Sequence, residues 1–368
     1  MHALRVMHVI TDLGTYGAER FLLELLTELP SHPLTIGVTL VAGRSVPERL
    51  RGGGVDVCAL GRSGRYDFRF LPRMVGHFNA WKPDIVHTHT HHGKYWGRLA
   101  AMLAGVPTVV HSEHNSDLRA GPTFAALNRL LHPRTKRFVA LSETHRSSLE
   151  RAERIPAERI VVIPNGIRLP ASSDRGAARG ALGIRDETTL ALLHVGRLSA
   201  VKNQRLALTA LALLDPALRR RAQLFFAGDG EDRAMLAERA QALGIAANVV
   251  FLGYRDDIPA LLPAADAWLM TSLNEGMPIS MIEAMAAGVP IVSTPWNGSA
   301  AMLEGGAYGW LSPSYSPEAF ASALASALRE PDEARSRAER ARTHASSLFS
   351  IERTAEQYAA LYRGLVAC

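Results

Sequence analysis

The chain has 368 residues, the length of two domains or three small ones. With 47% hydrophobic and 21% charged residues it is not a disordered chain, and its nearest approach to a membrane span, Ala284 to Leu303, is broken by two prolines and two glycines. The net charge of +6 is uneven: residues 1–170 carry 22 Lys/Arg against 14 Asp/Glu, and residues 171–368 carry 19 against 21.

A basic first half favours anionic partners, whether phosphates, acidic lipid headgroups or nucleic acid. The 37 arginines against 4 lysines are equally what a biased genome would produce. No basic segment leads into a long apolar core at the start, so no secretory leader is expected. The two cysteines, Cys58 and Cys368, predict a reducing, cytoplasmic setting without disulfides.

In chain order, the apolar run Leu4–Ile10 predicts a buried strand ending at Thr11-Asp12-Leu13-Gly14, and Ala18–Leu26 predicts a helix. Further strands are predicted at Leu34–Val41, Val55–Leu60, Asp84–Thr88, Thr108–His111, Phe138–Leu141 and Ile160–Ile163, with helical segments between most of them. Leu169–Gly176 is polar and contains glycine, and reads as a linker. The alternation then restarts, with strands at Thr189–Val195, Gln223–Ala227, Val249–Leu252, Ala267–Met270 and Pro290–Ser293. Helices fit Asn203–Leu214, Glu231–Leu243, Ile279–Ala287, Pro317–Arg329, Asp332–Ser346 and Ile351–Val366. The fold class is therefore α/β, with two doubly wound, Rossmann-like parallel sheets. Ligands of such sheets sit at the carboxyl ends of the strands, so a cleft shared by two facing sheets is the expected site.

Ser272–Pro290 holds the most chemistry. Glu275 falls in a loop after a strand and Glu283 about one turn into the next helix. Gly276-Met277-Pro278 places free backbone N–H groups at the helix start, a natural phosphate site. Carboxylates on either side suit a ligand whose hydroxyls flank a phosphate. Upstream, Arg197 and Lys202 sit at a strand end and a helix start. Lys202 is the sole lysine after position 136. Cations there suit an anionic ligand, and would stabilise charge that develops on it during a reaction more than charge already present.

The segment from Glu275-Gly276-Met-Pro278 through Glu283-Ala-Met-Ala-Ala-Gly288-Val-Pro290 resembles the signature of the family 4 glycosyltransferases. So do, in order, Gly17-Ala-Glu-Arg20, Ile163-Pro-Asn165-Gly166-Ile167, His194-Val-Gly196-Arg197 with Lys202-Asn203, Ala227-Gly-Asp-Gly230 and Phe251-Leu-Gly253. The resemblance covers residues 4 to about 311. It implies the two-domain GT-B fold: an acceptor-side domain over 1–168, a nucleotide-sugar domain over 172–349, and a last helix, 350–368, packing back on the first. It implies retaining transfer of a sugar from a UDP- or GDP-sugar to a hydroxyl acceptor, in polysaccharide or glycolipid assembly.

By that resemblance Glu283 holds the donor ribose and Glu275 the transferred sugar. Arg197 and Lys202 hold the diphosphate, together with Gly17, Gly276, Met277, Pro278 and Ile279. Tyr254 and Arg255 border the base, and His89 orients the sugar. Tyr16 and His114 lie on the acceptor side. Tyr16 stands where the family has a first glycine, and Trp296-Asn-Gly298-Ser-Ala-Ala-Met lacks the family's Gly-Gly-x-x-Glu. The chain contains no Asp-x-Asp, the usual metal-holding motif of metal-dependent glycosyltransferases, so no metal or other cofactor is expected.

Two other functions compete. His87, His89, His91 and His92, with His111 and His114, offer zinc-ligand spacing and a metal hydrolase. A nucleotide-sugar-binding protein without turnover would keep Arg197, Lys202 and Glu283. The basic stretch Arg129–Arg154 suits either peripheral contact with an anionic membrane or a plain solvated surface. No recognition motif or aromatic platform argues for nucleic acid.

Overall fold

The computed structural model describes residues 3–13, 17–29, 34–42, 50, 54–62, 67, 69–114, 122–170 and 174–366. The chain divides into two compact units, one of Met1–Arg168 with Phe349–Cys368 and one of Leu169–Leu348.

The first unit is built on a seven-stranded parallel sheet: β1 Leu4–Ile10, β2 Leu34–Leu40, β3 Asp56–Ala59, β4 Ile85–His89, β5 Thr108–Ser112, β6 Arg137–Ala140 and β7 Ile160–Val162. The order is β3-β2-β1-β4-β5-β6-β7, so the winding reverses between β1 and β4. Val6–Ile10 are buried without interruption, as expected of a central strand covered on both faces. On one face Met7, Val9, Val86 and Val109 pack against Phe70, Met74, Phe78 and Trp81 of the helix Phe70–Trp81. Each such side chain contributes about 1.5–3 kcal/mol on burial.

The helix Ile351–Val366 buries Ile351, Thr354, Ala355, Tyr358, Ala359 and Tyr362, a stripe at three- and four-residue spacing. It packs beside the helix Gly17–Glu28 of its own unit. Ile167 tethers its start, donating to the Phe349 carbonyl at 2.8 Å and accepting from Ile351 N–H at 2.9 Å. No Cβ fits at Gly166, where it would lie 2.5 Å from Thr354 Oγ1.

The second unit carries six parallel strands: β8 Leu190–Val195, β9 Ala222–Ala227, β10 Val249–Gly253, β11 Ala267–Met270, β12 Ile291–Ser293 and β13 Trp310–Leu311. Their order, β10-β9-β8-β11-β12-β13, reverses between β8 and β11. Leu192, Leu224, Phe226, Leu269 and Val292 share a core with Leu206, Leu208, Leu211, Leu236, Phe320 and Leu324.

Three details differ from the sequence reading. Helix replaces the end of the expected linker, starting at Arg175 with Asp174 as its cap. Pro216–Arg221 is a short helix capped by Asp215, and Trp310–Leu311 is an added edge strand. Both are too short for a periodicity to register. No helix among the described residues is long and apolar enough to cross a membrane.

Candidate active site

In the second unit the reversal point brings the ends of β8 and β11 together, and the candidate residues gather there. The loop Gly196–Leu198 leaves β8 and is pinned to the loop after β9. Gly196 N–H donates to Ala227 at 3.0 Å, and Leu198 N–H donates to Asp229 at 3.0 Å. This explains the glycines of Ala227-Gly-Asp-Gly230. A Cβ on Gly228 would sit 2.0 Å from the Gly196 carbonyl oxygen, and one on Gly230 2.2 Å from that of Leu198. Arg197 is half exposed, with Nε and Nη2 3.1 and 3.0 Å from Glu231 Oε2.

Lys202 closes the turn Ala200–Lys202, and Asn203 follows in a left-handed conformation (φ 50°) before the helix Gln204–Leu213. Lys202 Nζ donates to Glu275 Oε1 at 2.6 Å, and Ser272 Oγ donates to the same oxygen at 2.6 Å. The Lys202 carbonyl accepts from Thr271 Oγ1 at 2.8 Å; that hydroxyl in turn accepts from His194 Nε2 at 3.0 Å. Burial, with the Lys202 charge nearby, pushes the His194 imidazole down to about 3, so it is a neutral donor.

The helix Ile279–Ala286 begins at Pro278, which provides no side-chain cap. Met281 and Ile282 N–H reach the Pro278 carbonyl, while the N–H groups of Ile279 and Ser280 have no intrahelical acceptor. Glu283 is buried on this helix rather than solvated. Met277 is buried beside the turn and Gly276 is partly exposed. Tyr254 is exposed just beyond β10, and Arg255 pairs with Asp257 at 2.7 and 2.5 Å.

In the first unit the reversal point lies between Thr11 at the end of β1 and His89 at the end of β4. Thr90 follows at φ 56°, a strained conformation for a β-branched residue, and leads into a π-helical turn, Gly93–Gly97. Its hydroxyl lies 3.0 Å from that of Thr11, which is 3.1 Å from His92 Nδ1, while Arg62 reaches the other nitrogen of His92. Gly17 is exposed where it opens its helix. Tyr16 lies outside the described residues. His89 is fully buried; its Nε2 is 3.0 Å from His8 Nδ1 and its Nδ1 is 3.0 Å from His114 Nε2.

His8, His87 and His89 are close enough to share a metal ion. However, both nitrogens of His87 are engaged by hydroxyls, Tyr362 at 2.6 Å and Ser112 at 2.8 Å. Beyond His114, Glu113 anchors a buried ionic cluster. Lys94 Nζ donates to it at 2.6 Å and also reaches Glu153. Glu113 is buried, yet Lys94 and His111 hold its carboxyl well below the usual range.

A model of the group 1 glycosyl transferases matches residues 177–344, and one of glycosyltransferase family 4 matches residues 15–169. A D-inositol 3-phosphate glycosyltransferase of Salinispora arenicola is 31% identical over 330 residues, covering 80% of this chain and 70% of that protein. The chain belongs to the family 4 glycosyltransferases. An Escherichia coli UDP-Gal:alpha-D-GlcNAc-diphosphoundecaprenol alpha-1,3-galactosyltransferase is 29% identical over 272 residues, 70% of each chain. The crystal structure of Anabaena HepE in complex with UDP-glucose matches with a TM-score of 0.84 at 22% identity, over 98% of this chain and 100% of its own. The two sheets are thus those of a GT-B glycosyltransferase.

In this glycosyltransferase Arg197, Lys202, Glu275 and Glu283 all fall at the β8 and β11 ends of one sheet or on the helix that follows β11. Sequence reasoning missed Ser272, Glu231 and His194 as partners of these residues. It missed His8 too, because a histidine inside an apolar strand carries no spacing signal of its own.

Proposed function

We propose that this glycosyltransferase transfers a sugar, with retention of anomeric configuration, from a nucleotide diphosphate sugar to a hydroxyl acceptor in polysaccharide or glycolipid assembly. The observation that carries this reading is the cluster at the β8 and β11 ends. Two cations, Arg197 and Lys202, stand with an uncapped helix start and two carboxylates, Glu275 and Glu283, in one unit. Uncapped N–H groups and cations match a diphosphate. Glu283 accepts from ribose hydroxyls and Glu275 from the sugar. Tyr254 and Arg255 border the base, and the first unit receives the acceptor near Tyr16 and His114.

Relatives support the donor and acceptor classes. The Escherichia coli relative is named for UDP-Gal and a diphosphoundecaprenol acceptor, and the HepE structure holds UDP-glucose. A basic first half suits a lipid-linked acceptor at an anionic surface. Without Asp-x-Asp, the cations and the helix start neutralise the leaving diphosphate, so transfer is independent of added metal. No side chain is assigned as base: the departing phosphate takes the acceptor proton.

The test is a thermal-shift screen of UDP, GDP and their sugars, then transfer assays with the donor that stabilises the protein, with and without EDTA. One nucleotide should raise the melting temperature, and Glu283→Ala should weaken its binding about 10- to 100-fold, the loss of a charge-assisted hydrogen-bond pair. Nucleotide binding without transfer to any hydroxyl acceptor would favour the non-catalytic reading.

A further inference from the structure

A line of hydrogen bonds in the first unit starts on the last helix and ends at His114. Tyr358 Oη is 3.1 Å from Ser112 Oγ, which is 2.8 Å from His87 Nε2. His87 Nδ1 is 2.6 Å from Tyr362 Oη, and Tyr362 Oη is 3.5 Å from His8 Nε2, the longest link. His8 Nδ1 is 3.0 Å from His89 Nε2, and His89 Nδ1 is 3.0 Å from His114 Nε2. The line stops at His114 Nδ1, a buried nitrogen with no hydrogen-bond partner among the described residues.

Burial keeps these rings uncharged: it pushes His8 down to about 3 and His114 to about 4, and His87 and His89 well below the usual range. A neutral imidazole donates from one nitrogen and accepts at the other, so each ring hands on the direction it receives. The far end sets that direction. Ser112 is the one hydrogen-bond partner of the Tyr358 hydroxyl among the described residues. If Tyr358 only accepted there, its own O–H would be orphaned in the core in addition to the unpartnered His114 Nδ1. Tyr358 therefore donates to Ser112, Ser112 to His87 Nε2, His87 Nδ1–H to Tyr362, and Tyr362 to His8 Nε2. His8 Nδ1–H donates to His89, and His89 Nδ1–H to His114 Nε2. The proton of His114 is left on Nδ1.

We propose that this line locks His114 as its Nδ1–H tautomer, aimed as a fixed hydrogen-bond donor at an oxygen of bound substrate, with Tyr362 and Tyr358 as positioning residues. The identity of that oxygen rests on the glycosyltransferase reading above; the tautomer does not. A donor already oriented before binding costs no reorganisation during reaction.

The test is a long-range proton–nitrogen correlation spectrum of the full-length, nitrogen-15 histidine-labelled protein at neutral pH, with His114→Asn identifying the His114 signals. In the parent protein His114 should show a protonated Nδ1 and a bare Nε2. Tyr362→Phe removes one hydroxyl and should release the tautomer, so that the Nε2–H form appears. In transfer assays the same variant should lower kcat about tenfold, the worth of roughly one hydrogen bond, with the donor KM unchanged. The proposal fails if His114 carries Nε2–H or both protons in the parent protein, or if Tyr362→Phe leaves its tautomer unchanged. It also fails if one equivalent of zinc shifts the His8, His87 and His89 signals together, since they would then be metal ligands. The parent spectrum decides even where the variant does not fold. A correct tautomer in a protein that transfers no sugar would sink the enzymatic reading and leave the hydrogen-bonded line standing.

Discussion

Lys202 Nζ and Glu275 Oε1 are 2.6 Å apart, and Ser272 Oγ donates to the same oxygen. The ammonium proposed to hold a diphosphate and the carboxylate proposed to hold a sugar are therefore one ion pair with each other. Both are largely buried, so neither is screened as a surface pair would be. Lys202→Ala should lower kcat/KM about 10²- to 10³-fold, because it removes a cation and also leaves a carboxylate facing an anionic ligand. Lys202→Ala/Glu275→Gln should then be less impaired than the two single losses multiplied. Steady-state nucleotide release measures all three. Strict multiplication of the losses would show that the two residues act independently.

Arg197 presents the opposite case. Its pair with Glu231 is half exposed on both sides, so it is worth little to the fold. Arg197→Ala should leave the melting temperature within about a degree, raise the donor KM and lower kcat as well, since it removes a cation from both the bound and the departing diphosphate. Glu231→Gln should lower that KM a few-fold by freeing the guanidinium for phosphate. Calorimetric titration with the preferred nucleotide reads both. A weaker-binding Glu231→Gln protein would mean that Glu231 orients Arg197 rather than competing for it.

The strand–helix alternation, both sheets and the clustering of Arg197, Lys202, Glu275 and Glu283 were legible because each rests on local pattern: apolar runs, turn residues and a helix start. The Lys202–Glu275 pair was not, since 73 positions separate its members and only the pairing of β8 with β11 brings them together. Likewise His8 reads as an oddity inside Leu4–Ile10 until the β1–β4 register sets it beside His87. The resemblance puts His89 beside the sugar; among the described residues both its ring nitrogens are hydrogen-bonded, and the nitrogen without a partner belongs to His114. Strand alternation gives the face a side chain points to; it does not give how deep the neighbours bury it.

Gly228 tests whether the Arg197 loop is held by backbone contact. At φ 148°, with the Gly196 carbonyl oxygen 2.0 Å from where a Cβ would sit, an alanine has neither the conformation nor the space. Gly228→Ala should destabilise the second unit by about 2–4 kcal/mol and displace Arg197. Gly180→Ala, in the same unit and with open space around it, is the control and should be neutral or slightly stabilising. Chemical denaturation measures both. Equal stabilities would mean that the two loops are not in contact.

Acid should unfold the first unit before the second. The first unit holds His8, His87, His89, His111 and His114, all with imidazoles pushed below the usual 6.5 by burial. The second holds His194, down at about 3, and the half-buried His344. For a histidine whose folded value is depressed, the unfolded chain takes up the proton first as pH falls. Its stability contribution is complete above about pH 6.5 and is lost between there and the folded value, about 3 for His8 and about 4 for His114. Glu153, buried but held down to about 2 by His132 and Lys94, has the same sign and loses its contribution in the carboxylate range below. Between pH 6.5 and pH 5, His8 and His114 therefore each cost about 2 kcal/mol, and His87, His89 and His111 act in the same direction. For a unit of this size that lowers its melting temperature by roughly 4–8 °C per histidine. Scanning calorimetry at the two pH values should show one transition falling steeply and one falling only by the few degrees that His194 costs. Added nucleotide identifies the less sensitive one by raising it. A nucleotide-sensitive transition that falls first would place the acid-labile histidines in the wrong unit.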